Sequence, residues 1–144
     1  MEKIALNYAL MIEMIRMHNV SNEEMTALLE LGNSESLEKF GEGIPDWQTL
    51  INFYQQNKEK ISAVINDDYQ ITFLTKGALK SFLRFKYHLE ENIDFQDNGQ
   101  GLDHVKISPD ALNSLKLKIS KNWTIVHMPN QEQIKIELTH KPII

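Results

Sequence analysis

The side chains best placed to do chemistry in this sequence are four basic residues on one face of a predicted helix. Lys76, Lys80, Arg84 and His88 follow one another at four-residue spacing, which aligns them along one side of an α-helix. Such a stripe suits an acidic protein or a phosphate backbone, although a solvated outer helix face has the same pattern. We predict that these four residues form a partner-binding strip, and the acidic N-terminal half is itself a candidate partner.

The other residues that could do chemistry do not form a catalytic or metal-binding pattern. No two of the five histidines have a zinc-ligand spacing such as i, i+4 on a helix. The acidic pairs Asp67-Asp68 and Glu90-Glu91 fall at predicted turns, where solvated carboxylates are ordinary. Zero cysteine excludes disulfides, thiolate ligands and cysteine nucleophiles, and fits a cytosolic protein. The sequence therefore predicts no cofactor and no metal.

The basic stripe belongs to the first of two similar strand–helix–strand units. Thr75 and Ser108 are predicted N-caps, and Pro109 suits the first helical position. Residues 97–101 read as a tight turn between the units. The order predicts a ferredoxin-like βαββαβ unit over residues 67–144, with helices 75–89 and 108–120 on one face of one antiparallel sheet. Its predicted strands are Ile71–Leu74, Ile93–Phe95, Val105–Ile107 and Trp123–His127.

An extra strand and a conflict in strand register are also predicted for this sheet. Alternation in Gln133–Leu138 predicts an extra C-terminal strand that forms a hairpin with Trp123–Met128, after a turn at Asn130–Glu132. When the two units are aligned by their caps, the apolar positions of the first and third strands fall out of register. One strand is therefore predicted to be shifted, bulged or buried on both faces.

Residues 1–66 read as an acidic, all-helical unit of about four helices. Ser21 and Glu24 form a capping box, and Gly32 is a helix-ending signal. Asp46 is predicted to cap a long helix that reaches Ile65. The four predicted helices cover residues 3–18, 21–31, 34–40 and 46–65. The predicted fold class is thus α+β, with a helical unit followed by a ferredoxin-like unit.

The first predicted helix is apolar on almost every face. Leu6, Leu10, Met14 and Met17 lie outside its main apolar stripe. Leaving Leu6, Leu10 and Met17 in water would forfeit roughly 1.5–3 kcal/mol for each side chain. Methionine is a flexible filler of protein cores and also a common residue of adaptable binding surfaces. We predict a homodimer with these four residues near the contact.

Val20–Phe40 resembles the helix-turn-helix of Cro/cI-type repressors, with Glu23-Glu24 opening the first helix and Leu37 and Phe40 in the second. The resemblance implies DNA binding through the second helix. However, residues 1–70 carry 12 Asp/Glu against 5 Lys/Arg, a balance of −7. The second helix itself offers two glutamates and one lysine, which DNA phosphates would repel. DNA is therefore a disfavoured partner.

Composition sets the remaining limits. A charged fraction of 24% and a hydrophobic fraction of 42% are typical of a globular protein. No apolar run approaches the roughly 20 residues needed to cross a bilayer, so no membrane association is predicted. We predict a non-enzymatic cytoplasmic regulatory or adaptor protein that acts by protein–protein binding. The alternative is a helix-turn-helix transcriptional regulator whose α/β unit senses a ligand or dimerises, and a small enzyme of unknown chemistry comes third.

Overall fold

The computed structural model describes residues 1–41, 46–128 and 133–139, and within them the chain is a mixed α+β protein. The N-terminal half is not all-helical as predicted, because it begins with strand β1 (Glu2–Ile4). This strand pairs in parallel with β2 (Tyr69–Ile71). The predicted first helix therefore starts three residues late. Its apolar pattern ran through Ile4, whose buried side chain belongs to the strand.

The helices of the N-terminal half follow the predicted local signals, with one exception. Ser21 Oγ accepts a hydrogen bond from the Glu24 N–H at 3.1 Å, and Gly32 ends the helix with φ 73°. The predicted long helix is wrong, because the backbone breaks at Asn57 (φ −140°), and Asp46 makes no side-chain capping hydrogen bond. The elements are α1 (Leu6–Arg16), α2 (Asn22–Leu31), a 3₁₀ helix (Ser34–Phe40), α3 (Trp47–Gln56) and α4 (Lys58–Asn66).

The C-terminal half contains both predicted helices but a different sheet. The Thr75 and Ser108 hydroxyls accept from the third N–H after each cap, as predicted. The four described strands of the larger sheet are antiparallel and lie in the order β3-β4-β6-β5, which confirms the β5–β6 hairpin. The elements are α5 (Lys76–Tyr87), β3 (Gln96–Asp97), β4 (Gly101–Lys106), α6 (Pro109–Lys118), β5 (Trp123–His127) and β6 (Gln133–Leu138). The turn predicted at Asn130–Glu132 lies outside the described residues.

The ferredoxin-like arrangement is not confirmed, and the prediction that the first strand joins the other three in one antiparallel sheet is wrong. β2 lies in the separate two-stranded sheet with β1. The segment after β2 is held by side chains instead of by a neighbouring strand. The Leu74 N–H donates to Ser120 Oγ at 3.0 Å, and its carbonyl accepts from Asn122 Nδ2 and Trp123 Nε1, both at 2.8 Å. These bonds satisfy the backbone that a sheet partner would otherwise have satisfied.

β4 is irregular in its pairing with β6, and a bulged strand is one of the outcomes that the register conflict in the sequence left open. β4 is bulged between Leu102 and Val105, where His104 adopts φ 51°. The turn over residues 97–101 is confirmed, with Gly99 at φ 93°. A Cβ on Gly101 would lie 2.2 Å from the Ile136 carbonyl oxygen, so this position requires glycine. The predicted strand over residues 93–95 is displaced by three residues to β3.

Contacts cross the predicted boundary after residue 66. β1 pairs with β2, and α1 packs along α5. Buried side chains from both halves form one apolar cluster that includes Ile12, Leu50 and Phe82. The division into units 1–66 and 67–144 stays a prediction. None of the helices in the described ranges has the length and apolar character needed to cross a membrane.

Candidate functional site

An open groove of about 940 Å³ runs between α1, the 3₁₀ helix and α5, and we call it the α1–α5 groove. Its lining includes all four side chains predicted from the sequence to contact a second copy. Leu6, Leu10 and Met14 are half-buried, and Met17 is 37% exposed. Phe40 of the 3₁₀ helix and Phe85 of α5 add aromatic rings to the lining. The groove is therefore a concave and largely apolar surface.

The periodicity of α1 places these side chains in the groove. Positions 6, 10, 14 and 17 fall on one helical face, since residues three and four apart are neighbours on a helix. The opposite side of α1 is occupied by the core, where Ala9, Ile12 and Ile15 are fully buried. The groove is the part of the apolar surface of α1 that the rest of the described chain leaves partly exposed.

Cationic side chains stand at the edge of the groove. Lys39 Nζ lies 5.2 Å from the ring centroid of Phe40, and Arg84 Cζ lies 4.9 Å from that of Phe85. Neither forms an ion pair with a carboxylate in the described part of the chain. Asp46 is the one acidic side chain in the described lining. Among the described residues of the lining, the edge thus carries a positive balance on a protein whose net charge is −5.

The predicted basic stripe does not act as one surface in the fold. Lys76 pairs with Asp97 at 3.0 Å, and Lys80 pairs with both Glu91 (3.0 Å) and Asp97 (2.6 Å). Arg84 lies in the α1–α5 groove. His88 is exposed at the left-handed end of α5, with φ 59°. The two lysines of the stripe are thus used in ion pairs within the chain, and Arg84 lines the groove. The role of the stripe in binding a partner stays a prediction.

Asp97 forms ion pairs with both lysines of the basic stripe, Lys76 and Lys80. Hydrogen bonds from Lys80, from the Gly99 N–H and from Lys76 hold the pKa of its carboxyl well below the ordinary value. The charged form is therefore favoured in the folded state. A depressed folded pKa contributes stability that is present above the unfolded pKa, about 3.9, and is lost as the pH falls through the folded value.

Replacing Asp97 by asparagine should therefore destabilise the protein near neutral pH, and the gap should shrink below about pH 4. Urea unfolding of both proteins across the acidic range measures this gap. Asp67→Asn, which removes an exposed carboxylate without an ion pair in the described residues, serves as the control and should leave stability almost unchanged. A gap for Asp97→Asn that is independent of pH would contradict the assignment.

A buried ionic cluster lies where α1, β2 and α5 meet, and sequence reasoning missed it. Glu13 is 1% exposed and accepts hydrogen bonds from Lys86 Nζ and Arg16 Nη1, both at 3.1 Å, and from the Tyr69 hydroxyl. Arg16 also donates to the Ile65 carbonyl. The available signal was a single carboxylate in the middle of an apolar helix. Arg16 is three residues away, but Tyr69 and Lys86 lie more than fifty residues away, so spacing could not identify the cluster.

Burial governs the electrostatics of this cluster. Desolvation lowers the pKa of Lys86, with the Glu13 carboxylate opposing the shift, and it raises the pKa of Tyr69. Lys118 stands 5.3 Å from the centroid of the Tyr69 ring and pairs with Asp68 at 2.7 Å. Glu13 and Tyr69 are sealed from solvent, so a substrate cannot reach them. The arrangement ties α1 to β2 and α5, and both α1 and α5 also contribute to the lining of the groove.

The region that resembles a helix-turn-helix has an unexpected second element. After α2 and the Gly32 cap, the predicted second helix is a 3₁₀ helix and not an α-helix. Leu37 and Phe40 are buried, and Phe40 also lines the α1–α5 groove, while Glu35 and Glu38 are exposed.

Among the described residues, no group of three or more histidines and carboxylates could hold a metal ion. In comparisons with known proteins, no protein-family model, curated protein or solved structure matches this chain.

Proposed function

We propose that this protein is a non-enzymatic, cytosolic regulatory or adaptor protein that binds another protein in the α1–α5 groove. The observation that carries the proposal is the open apolar surface along α1, formed by Leu6, Leu10, Met14 and Met17. Contiguous apolar surface with a polar rim marks interaction sites in proteins. The two methionines suit such a site, because their side chains adapt to the shape of a partner.

A protein of different shape and charge fits this groove better than a second copy does. A two-fold dimer places the same patch of each subunit against itself. Through this groove, it would bring two concave surfaces together and add the Arg84 and Lys39 charges of both copies. The homodimer through the same four α1 residues is the competing proposal.

The alternative role as a DNA-binding regulator has weaker support. A recognition helix inserts into the major groove and offers groups that bind base edges and phosphates. The 3₁₀ helix here exposes Glu35 and Glu38 beside Lys39, and carboxylates are repelled by phosphate. The same helix contributes Phe40 to the α1–α5 groove, which favours a role in binding protein.

Selection from a displayed library of random peptides tests the proposed function. Peptides of about 16 residues would exceed the length of the groove, which is roughly 17 Å along α1. Peptides selected on the unmodified protein should bind Leu10→Glu at least about tenfold more weakly, since this change places a carboxylate in the apolar lining. They should bind Leu31→Glu equally well, because Leu31 is 68% exposed and lies outside the groove.

A second groove variant guards against loss of the fold. Met17→Glu, at a more exposed position, replaces Leu10→Glu if circular dichroism shows that the latter is unfolded. Selected peptides that bind the groove variant and the unmodified protein equally would contradict the proposal, and so would a failure to enrich any peptide. A dimer seen by light scattering and dissociated by Leu10→Glu would favour the homodimer instead.

A further inference from the structure

We propose that the occupant of the α1–α5 groove is an amphipathic α-helix of another protein that carries carboxylates beside its apolar face. This inference rests on the proposed function and specifies the chemistry of the partner. It is carried by two features of the groove, namely the absence of free backbone groups in its helical walls and the sign of the charge at its edge.

The walls determine the conformation of the occupant. α1 forms the long side of the groove and α5 adds about one turn, through Ser81, Arg84 and Phe85. The amides and carbonyls in the middle of a helix are bonded within it. An extended peptide gains affinity by pairing its backbone with a free strand edge, which these helices do not offer. A segment buried against Leu10, Met14 and Phe85 must therefore satisfy its own backbone hydrogen bonds, and an α-helix does so.

The length of the groove agrees with this conformation. Its lining along α1 runs from Leu6 to Met17, the residue that caps α1, about 17 Å at the helical rise of about 1.5 Å per residue. A partner helix of about three to four turns spans that distance and presents apolar residues at i, i+3 or i+4, and i+7. The half-buried Leu6, Leu10 and Met14 offer matching positions along α1.

The edge determines the charge of the occupant. Lys39 and Arg84 each lie over an aromatic ring of the lining and have no carboxylate partner among the described residues. Asp46 opposes them in part. Because the whole chain carries −5, an acidic helix would be repelled over most of the surface and attracted here. Complementary charge of this kind sets specificity and association rate.

Three matched displayed libraries test the inference. All share apolar residues at helical spacing, and they differ in flanking residues: glutamate-rich, lysine-rich, or glutamate-rich with central prolines that prevent a helix. We expect enrichment from the glutamate-rich helical library alone. The enriched peptides should bind Arg84→Glu on the order of tenfold more weakly, and their association rate should fall with added salt. Lys116→Glu, an exposed charge reversal on α6, should leave binding unchanged.

The outcomes separate this inference from the proposed function. Enrichment of lysine-rich or proline-containing peptides that lose affinity for Leu10→Glu would leave the proposed function standing and overturn the inference. Glutamate-rich peptides that bind Arg84→Glu and the unmodified protein equally would also overturn it. Peptides that bind Leu10→Glu and Arg84→Glu as tightly as they bind the unmodified protein would overturn both proposals. A failure of all three libraries, with groove-dependent peptides from the random library, would overturn the inference alone.

Discussion

Replacing Glu13 by alanine is expected to lower the free energy of unfolding by about 3–5 kcal/mol, the cost of breaking a buried ion pair. The carboxylate accepts from Lys86, Arg16 and Tyr69 while itself 1% exposed. Its removal leaves three buried or half-buried donors without their acceptor. Lys86→Met should cost less, since its side chain is 18% exposed and Glu13 would keep two donors.

A combined variant shows whether the loss comes from charges left without partners. Glu13→Leu, Tyr69→Phe and Lys86→Leu together remove the carboxylate and two of its donors, and apolar replacement of a buried ionic group is often neutral or stabilising. The triple variant should therefore be more stable than Glu13→Ala. Urea unfolding monitored by circular dichroism measures all of these variants. A loss below about 1 kcal/mol for Glu13→Ala would contradict the buried position of its carboxylate.

Replacing Phe82 by alanine is expected to lower the free energy of unfolding by about 3–5 kcal/mol, the usual cost of truncating a buried aromatic residue. Phe82 is fully buried, and its ring meets that of Tyr87 edge-on at 5.9 Å between centroids. The truncation would open a cavity in the core between the two halves of the chain.

Phe73→Ala provides the matched control for this prediction. Phe73 is 54% exposed just before α5, and its truncation should change stability by no more than about 0.5 kcal/mol. The comparison uses the same substitution nine residues apart, so it isolates burial. Equal losses for the two variants would show that α5 presents a different face to the core.

Local signals in the sequence were good predictors of local structure. The caps at Ser21, Thr75 and Ser108, the left-handed Gly32 and the turn over residues 97–101 are all confirmed. Each depends on hydrogen bonds between residues close in sequence, so the residue types suffice. The conflict in strand register left a shifted, a bulged and a doubly buried strand open, and β4 is bulged near His104.

Pairings between distant residues could not be obtained in the same way. The β1–β2 pair joins strands more than sixty residues apart, and the apolar pattern of β1 merges with that of α1. The break at Asn57 interrupts a continuous apolar face, so periodicity gave no sign of it. The sequence singled out the surplus apolar side chains of α1 and the basic residue Arg84. Folding alone brings these together in one groove.

The methionines of this chain allow the most direct test of the central proposal, that the α1–α5 groove binds another protein. Met14 and Met17 line the groove, whereas Met25 is fully buried outside it and Met128 follows β5. NMR spectra of methyl-labelled methionine, recorded while a selected peptide is added, report on each position separately. We expect the Met14 and Met17 signals to shift and those of Met25 and Met128 to stay in place. Unchanged groove signals at saturating peptide would contradict the account.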